Sequence, residues 1–202
     1  MATRFFTADF HLQMPKILEY ENRPFEDANQ HDQALIDMCK KMTTSDDMIV
    51  HVGDLCSFGI DRGTECGKKK PSDLIKDIPA TFINIRGNHD LSNKVKSACD
   101  SMQLQLGRRY PNVICGHYPS YSDHAKSYIR KGWILLCGHV HRQWHYCLDL
   151  TNSMLNINVG VDVNDYKLLS EDKLIKYIDK VLTIPFDKMN KIKTIDGKVQ
   201  HV

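Results

Sequence analysis

Hydrophobic and polar positions alternate with helical periodicity in two segments of the chain. In residues 29–42, Leu35, Met38, Cys39 and Met42 recur at spacings of three and four, which predicts an amphipathic helix. A second helix is predicted after Ser170, a residue type favoured at helix N-caps. Its apolar positions line up on one side: Leu174, Ile175, Ile178, Val181 and Leu182. Weaker helical patterns cover residues 92–102 and 123–130.

Short runs of branched and aromatic residues lie between these helical segments and predict β-strands. They cover residues 3–8, 48–52, 81–85, 113–115, 133–137, 144–150 and 155–159. Because strands and helices interleave, we expect an α/β protein in which seven or more strands divide between two stacked sheets. Residues 59–72 contain three glycines and three consecutive lysines and predict a long mobile loop.

The length and composition favour a single globular domain. The chain has 202 residues, of which 42% are hydrophobic and 26% charged, enough to bury a proper core. The segment 187–202 is polar and basic without clear periodicity, so we expect one domain over residues 1–186 followed by a polar C-terminal tail. A net charge of +2 does not indicate a nucleic-acid surface, although it leaves nucleic acid open as a partner. It also leaves the oligomeric state open.

Cysteine usage and hydropathy bear on the cellular compartment. The seven cysteines are an odd set without a Cys-x-x-Cys pair, which argues against a disulfide framework and favours a reducing interior. The N-terminal residues lack a signal pattern, and no apolar run approaches the ~18 residues of a membrane helix. We therefore expect a cytoplasmic protein without membrane association.

Residue types that bind metal ions stand at the ends of five predicted strands. The segments are Asp9-Phe10-His11, Gly53-Asp54, Gly87-Asn88-His89-Asp90, Gly116-His117 and Gly138-His139-Val140-His141. In four of them a glycine, which permits a sharp exit from the strand and a close approach, precedes the ligand-type residue. Because parallel strands deliver their C-terminal loops to one edge of a sheet, the five segments can meet there.

The chemistry of these residues favours a centre with two metal ions. Imidazole, carboxylate and amide ligands suit Mn²⁺, Fe, Zn²⁺ or Ni²⁺. Seven candidate ligands are too many for one tetrahedral ion and suit two ions roughly 3.5–4 Å apart that share a carboxylate. The candidates are Asp9, His11, Asp54, Asn88, His117, His139 and His141. Cys115 and Cys137 alternate with two of the motifs but are expected to be buried thiols.

The ordered set Asp-x-His, Gly-Asp, Gly-Asn-His-Asp, Gly-His and Gly-His-x-His resembles the calcineurin-like metallophosphoesterase superfamily. The match spans residues 9–141, and Asn158-Val159-Gly160 resembles the Asn-x-Gly that often closes the fold. Small stand-alone members from bacteria and phages carry stretches similar to Arg23-Pro24-Phe25 and to residues 158–164. The resemblance implies a four-layer α/β/β/α sandwich with two mixed β-sheets, and two divalent ions, with Mn²⁺ favoured, at the sheet edge.

The resemblance also implies a role for each motif residue. Asp9, His11 and His141 would hold the first metal, Asn88, His117 and His139 the second, and Asp54 would bridge them. His89 would be a non-ligand imidazole that donates a proton to the leaving group, and Asp90 would orient its ring. Arg86, Tyr118 and His124 lie near the motifs and are candidates for substrate binding.

The expected activity is hydrolysis of a phosphodiester or phosphomonoester by metal-activated hydroxide, with a small, nucleotide-type substrate favoured over a protein. The segment that begins Gly53-Asp54 lacks the second aspartate of the pattern Gly-Asp-x-x-Asp. Asp61-Arg62-Gly63 lies too far from Asp54 to be the motif of a protein phosphatase, which argues against that class. The chain also has no room for the capping domain of recombination nucleases. A catalytically silent scaffold of the same fold and a structural-zinc interaction domain are the alternatives.

Overall fold

Two β-sheets form the body of the protein in a computed structural model that describes residues 2–58, 67–195 and 197–202. The elements in chain order are β1 (Arg4–Thr7), α1 (Lys16–Tyr20), α2 (Ala28–Met42), β2 (Met48–His51), α3 (Pro71–Ile75), β3 (Thr81–Asn84), β4 (Ser101–Leu106), β5 (Tyr110–Gly116), β6 (Ile134–Cys137), β7 (Tyr146–Asp149), β8 (Met154–Asn158), β9 (Leu169–Ser170), α4 (Glu171–Leu182), β10 (Lys191–Ile195) and β11 (Lys198–His201). Turns of 3-10 helix lie at Asp123–Tyr128, Val161–Val163 and Phe186–Lys188.

The two sheets are both mixed, as the resemblance implies. The first has the strand order β3-β2-β1-β9, in which β1, β2 and β3 are parallel. The second has the order β11-β10-β7-β8-β6-β5-β4, in which β5, β6 and β8 are parallel. Each sheet therefore contains three neighbouring parallel strands, and the segments that leave their C-terminal ends share one edge.

Three apolar clusters hold the layers together. Between the sheets, Phe6 and Val50 pack with Leu136 and Ile157, and α4 adds its apolar stripe to this core. The outer face of the first sheet is covered by α2 through residues such as Leu35. The 3-10 turn Asp123–Tyr128 covers the outer face of the second sheet. The layers are therefore helix, sheet, sheet and helical turn, which confirms the predicted fold class.

The strongly periodic segments were predicted correctly. The helix expected at 29–42 is α2, which begins after Asp27, whose side chain accepts a hydrogen bond from the backbone N–H of Gln30. The helix expected after Ser170 is α4, and the Ser170 hydroxyl caps it by accepting from the N–H of Lys173. The seven predicted strand runs contain β1, β2, β3, β6 and β7 or overlap β5 and β8.

The segments with mixed patterns differ from the predictions. Residues 92–102 are not a helix: turns lead into β4, where Met102, Leu104 and Leu106 alternate as a strand requires and pair with β5. In the segment 123–130 predicted as a helix, Asp123–Tyr128 form a 3-10 turn in place of an α-helix. Of the predicted loop 59–72, residues 59–66 lie outside the described part of the chain, and Pro71–Ile75 is α3.

The C-terminal segment 187–202, expected as a polar tail, contributes strands to the second sheet. β10 pairs in parallel with β7, and β11 folds back antiparallel on β10. Ile192 is buried, whereas the side chains of β11 are exposed. Because most of these positions face solvent on either side, the sequence here lacks the hydrophobic alternation by which a strand is recognised.

The cysteines among the described residues are free thiols, and five of the six are buried. Burial raises the pKa of Cys39 to about 12 and raises that of Cys137 well above its usual range. A thiol with a raised pKa is a poor metal ligand, which weighs against a site built from Cys115 or Cys137. Within the described residues, no helix has the length and apolar character needed to span a membrane.

Candidate metal centre

All seven predicted ligands lie just beyond the C-terminal ends of parallel strands. Asp9 and His11 follow β1, Asp54 follows β2, and Asn88 follows β3 in the first sheet. In the second sheet, His117 follows β5, and His139 and His141 follow β6. The two groups meet across the sheets, because the N–H of His139 donates to both carboxylate oxygens of Asp9 at 3.1 Å.

Backbone strain is concentrated at the ligands. Positive φ angles are uncommon outside glycine and cost free energy. Five of the seven ligands adopt them: Asp9 (60°), His11 (49°), Asp54 (61°), His139 (70°) and His141 (44°). Strain of this kind persists only where the surrounding structure enforces it, and it clusters at functional sites.

The strand-end glycines allow the carboxylates to approach the neighbouring loops. A Cβ atom at Gly138 would lie 2.6 Å from Oδ2 of Asp9, closer than non-bonded atoms approach. A Cβ atom at Gly87 would collide with the Asp54 carboxylate. These contacts give a physical reason for glycine at both positions.

His117, Asn88 and His139 surround one side of Asp54. His117 Nε2 lies 3.3 Å from Asp54 Oδ2 and 3.0 Å from Asn88 Oδ1, and His139 Nδ1 lies 3.0 Å from the same Asn88 oxygen. His117 Nδ1 donates to the carbonyl oxygen of Val52 at 2.9 Å. Because a carbonyl only accepts, the proton sits on Nδ1, and Nε2 is directed at the oxygen atoms that would share a cation.

Asp9, His11 and His141 lie on the other side of Asp54. Their potential ligand atoms lie within 4.8 Å of one another, and so do those of Asp9, Asp54 and His117. His11 Nε2 is buried without a hydrogen-bond partner among the described residues, 3.6 Å from Asp54 Oδ2. A buried nitrogen without a partner is costly, and a cation at this position would remove that cost. The residues therefore fit a pair of adjoining divalent ions that share Asp54.

Burial and charge act in opposite directions on these groups. Burial disfavours the charged form of His117, but the hydrogen bond and charge of Asp54 outweigh it and raise the His117 pKa to about 9. Burial would likewise raise the pKa of Asp54, yet His117 holds it below its usual range. Burial raises the pKa of Asp9 and lowers that of His11 well below its usual range. His11 is thus held in the neutral form that binds a metal.

His89 stands at the rim of this cluster. Its backbone N–H donates to Asp54 Oδ1 at 2.9 Å, and its half-buried ring lies 5.2 Å from the ring of His11 between centroids. Its ring nitrogen belongs to a group with His11 and Asp54 whose ligand atoms lie within 4.8 Å of one another. The position suits a proton donor beside the metals and is also within reach of an ion.

Asp90 corrects a prediction, since its carboxylate does not contact the His89 ring. The side chain is fully buried and accepts four hydrogen bonds, from the backbone N–H of Asp54, Leu55 and Gly87 and from the side-chain amide of Asn84. Both oxygens are thereby occupied by amides. Asp90 fastens the segment after β2 to the segment after β3, so it positions the backbone of Asp54 and not the imidazole of His89.

The three substrate-binding candidates lie in different surroundings. The Tyr118 ring lies 4.9 Å from the ring of His139 and stacks on His124 at 4.8 Å between centroids, so both side chains adjoin the ligands. Arg86 instead forms an exposed ion pair with Asp100 at 2.8 Å. Among the described contacts of Arg86, none reaches the ligand cluster.

Two residues of the site were missed by the sequence reasoning. His141 Nδ1 donates to Asp162 Oδ2 at 2.8 Å, and the buried guanidinium of Arg23 binds both oxygens of Asp162, each at 2.8 Å. Both residues lie in the stretches 23–25 and 158–164, which were noted only for their resemblance. In each stretch the feature that could have drawn attention is a charged residue beside apolar neighbours, but this feature does not indicate what Arg23 or Asp162 does.

Comparison with known proteins gives a family and a fold. A family model described as calcineurin-like phosphoesterase matches residues 3–191. An uncharacterized protein of Methanocaldococcus jannaschii is 26% identical over 181 residues, which cover 87% of this chain and 91% of that protein. The structure of a protein of unknown function from Aquifex aeolicus matches 88% of this chain and 100% of its own, with 21% identity and a TM-score of 0.65. The likeness to the Pseudomonas putida nuclease MPE, with 12% identity and a TM-score of 0.40 over 98% of this chain and 87% of that one, is too slight to inform on activity.

The Asp90 clamp predicts a loss of both stability and metal binding in Asp90→Asn. The asparagine NH₂ group would face backbone N–H groups and could not accept hydrogen bonds from them. We therefore expect the free energy of unfolding to fall by about 1–3 kcal/mol and Mn²⁺ to bind more weakly. Chemical denaturation and metal titration measure the two effects. Asp100→Asn, which removes a carboxylate from an exposed ion pair, is the control and should change stability by less than ~0.5 kcal/mol. Unchanged stability and metal affinity in Asp90→Asn would disprove the clamp.

The contact of Gly138 with Asp9 predicts that Gly138→Ala no longer gains thermal stability from Mn²⁺, because the added methyl group would displace the Asp9 carboxylate, a candidate metal ligand. The midpoint of thermal unfolding, measured with and without Mn²⁺, reports this directly, since a ligand that binds the folded state raises it. Gly132→Ala is the control: Gly132 has a φ of 79° but open space around its Cβ position. That variant should lose some stability from strain and still respond to Mn²⁺. An equal response in the two variants would contradict the account.

Proposed function

This chain belongs to the calcineurin-like phosphoesterase family, and from that premise we propose that it hydrolyses a phosphodiester or phosphomonoester with two divalent metal ions. The observation that carries the proposal is the convergence of six candidate ligand side chains from both sheets around Asp54, with the Nε2 atom of His11 buried among them without a hydrogen-bond partner in the described residues. The residues that would hold the ions are Asp9, His11 and His141 on one side, Asn88, His117 and His139 on the other, and Asp54 between them.

The ligand set favours Mn²⁺, with Fe, Zn²⁺ or Ni²⁺ as alternatives, because it combines imidazole, carboxylate and amide groups without thiolates. When bound, such an ion pair supplies hydroxide as a nucleophile near neutral pH and neutralises the phosphoryl oxygens. The part of the protein is to hold these ligands in place. Asp90, the strained ligand backbone and the close-packed glycines perform this task.

His89 is proposed to protonate the leaving group. As the ester P–O bond breaks, the departing oxygen gains negative charge, and transfer of a proton from the imidazolium of His89 converts it to an alcohol. The backbone hydrogen bond from His89 to Asp54 fixes the residue beside the shared carboxylate, and the half-buried ring leaves one side accessible to substrate. General acids in this role typically contribute 10²- to 10⁴-fold to the rate.

The substrate is proposed to be small and nucleotide-like. Tyr118 and His124 form a stacked pair of rings that begins beside His139, and aromatic side chains bind nucleobases or aryl groups through their faces. The backbone of Tyr118 is held by the hydroxyl of Tyr128, which accepts from its N–H and donates to its carbonyl oxygen. A rigid aromatic pair next to the metals suits a flat group attached to the phosphate.

The proposed activity is tested with purified protein, Mn²⁺ and two chromogenic esters, bis-p-nitrophenyl phosphate and p-nitrophenyl phosphate, followed by cyclic nucleotides and dinucleotides. We expect turnover that stops with a chelator and returns with Mn²⁺. Asp54→Asn, prepared in the same way, should be inactive, which excludes a contaminating phosphatase. Two bound ions without hydrolysis of any ester would support the silent-scaffold alternative, and a single tetrahedral Zn²⁺ would support the interaction domain.

The role of His89 predicts a dependence on the leaving group. His89→Ala should retain two metal ions and lose about 10²- to 10⁴-fold in kcat on esters of aliphatic alcohols, but much less on p-nitrophenyl esters, whose leaving group needs little protonation. His201→Ala, an exposed histidine of β11, is the control and should match the wild type. An equal loss on both ester types would remove the acid role. Loss of one ion would show that His89 is a ligand.

A further inference from the structure

A buried arginine–aspartate pair lies behind one of the two sets of metal ligands. Nε and Nη2 of Arg23 bind the two oxygens of Asp162, each at 2.8 Å, and both side chains are fully buried. Asp162 Oδ2 also accepts from Nδ1 of His141 at 2.8 Å. Burying two charges is costly, so a pair of this kind calls for an explanation beyond stability.

The first consequence of this pair is a fixed tautomer of His141. A carboxylate only accepts hydrogen bonds, so the contact with Asp162 places the proton on Nδ1 and leaves the lone pair of Nε2 for a cation. The Arg23 guanidinium keeps Asp162 in place through two parallel hydrogen bonds, a geometry that lysine cannot reproduce. His141 is therefore oriented by a residue 118 positions before it in the chain.

The second consequence concerns Asp9, a ligand from the same set. Two further donors of Arg23 bind consecutive backbone carbonyl groups. Nη2 donates to the carbonyl oxygen of Asp9 at 2.8 Å, and Nη1 donates to that of Phe10 at 2.9 Å. One guanidinium thus holds two ligands of one ion, Asp9 through its backbone and His141 through Asp162.

The pair is itself anchored to α2. His31 is buried, its Nδ1 lies 2.9 Å from Asp32 Oδ1, and its Nε2 lies 2.8 Å from Nη1 of Arg23. The proton on Nδ1 is donated to Asp32, so Nε2 accepts from Arg23. Asp32 also accepts from the N–H of Gln13 at 2.8 Å, two residues beyond the ligand His11. The network therefore contacts Asp9 and His141 and also holds the backbone two residues beyond the third ligand, His11.

The other set of ligands has a different support. His117 Nδ1 donates to a backbone carbonyl oxygen, that of Val52, and His139 contacts Asn88. Among the described residues, no arginine–carboxylate pair contacts His117, His139 or Asn88. The two sets thus differ in what holds them.

We propose that Arg23 and Asp162 are positioning residues that selectively support the metal ion held by Asp9, His11 and His141, while the ion held by Asn88, His117 and His139 is independent of them. This inference rests on the proposed two-metal function. Because loss of a group that orients a metal-binding histidine typically weakens metal affinity by about 10- to 100-fold, we expect a difference of that size between the two sites when the pair is broken.

The test is a calorimetric Mn²⁺ titration of Asp162→Asn, supported by metal analysis of the dialysed protein. Wild type should bind two ions; the variant should bind one with unchanged affinity and one about 10- to 100-fold more weakly. Glu171→Gln is the matched control, since Glu171 forms the same two-point pair with Arg4, at 2.7 Å for both contacts, outside the site. It should bind both ions as the wild type does.

A second pair of variants identifies the affected site and guards against poor folding. Asn88→Ala should lose the other ion, so the double variant with Asp162→Asn should bind a single ion, about 10- to 100-fold more weakly than Asn88→Ala alone does. If Asp162→Asn does not fold, Arg23→Lys, which keeps the charge and loses the second hydrogen bond, should weaken the same single ion. In the Zn²⁺-loaded wild type, ¹⁵N NMR should show the His141 proton on Nδ1.

Two outcomes of the titration would overturn this inference alone: wild-type affinity at both sites in Asp162→Asn, or an equal loss at both sites, which would indicate general destabilisation. A proton on His141 Nε2 would also overturn it. Failure of the wild type to bind two ions would instead overturn the proposed function, and this inference with it.

Discussion

The two buried carboxylates of Asp9 and Asp54 determine which groups must lie around them at the edge where the sheets meet. Both are nearly inaccessible to solvent, and charge in such a place must be compensated by hydrogen bonds, cationic groups or metal ions. The backbone N–H groups of His89 and His139 supply part of this compensation, and the imidazole of His117, 3.3 Å from Asp54 Oδ2, supplies another part. The free nitrogen of His11 shows that the compensation within the protein is incomplete, and a pair of cations would complete it.

Two further buried carboxylates position the ligands and do not bind metal in this account. Asp90 receives three backbone N–H groups from the segments that carry Asp54 and Asn88, and Asp162 receives the imidazole of His141 and the guanidinium of Arg23. These contacts explain how residues with unfavourable φ angles persist, because the strained ligands are held by contacts with other segments of the chain as well as by their own backbone. The centre is thus a set of side chains from five strand ends, held in place by the buried charges of Asp90 and of the Arg23–Asp162 pair.

The convergence of the candidate ligands could be predicted because each follows a strand with a clear hydrophobic pattern, and in four of the five segments a glycine marks the exit. The error at Asp90 had a different origin: adjacency to His89 in the chain suggested contact, whereas the carboxylate turns toward amides of another loop. Arg23 and Asp162 lie 139 residues apart, so only the folded chain shows that they pair. Strands β10 and β11 escaped prediction because Ile192 is their one buried position, and the remaining positions lack the alternation that marks a strand.

Anomalous diffraction from crystals soaked in Mn²⁺ tests the central claim most directly, because it locates the ions without reference to activity. The account predicts two peaks roughly 3.5–4 Å apart, with Asp54 between them and the two ligand sets on opposite sides. One peak alone, or peaks that do not contact Asp9, Asp54 and His117, would contradict it.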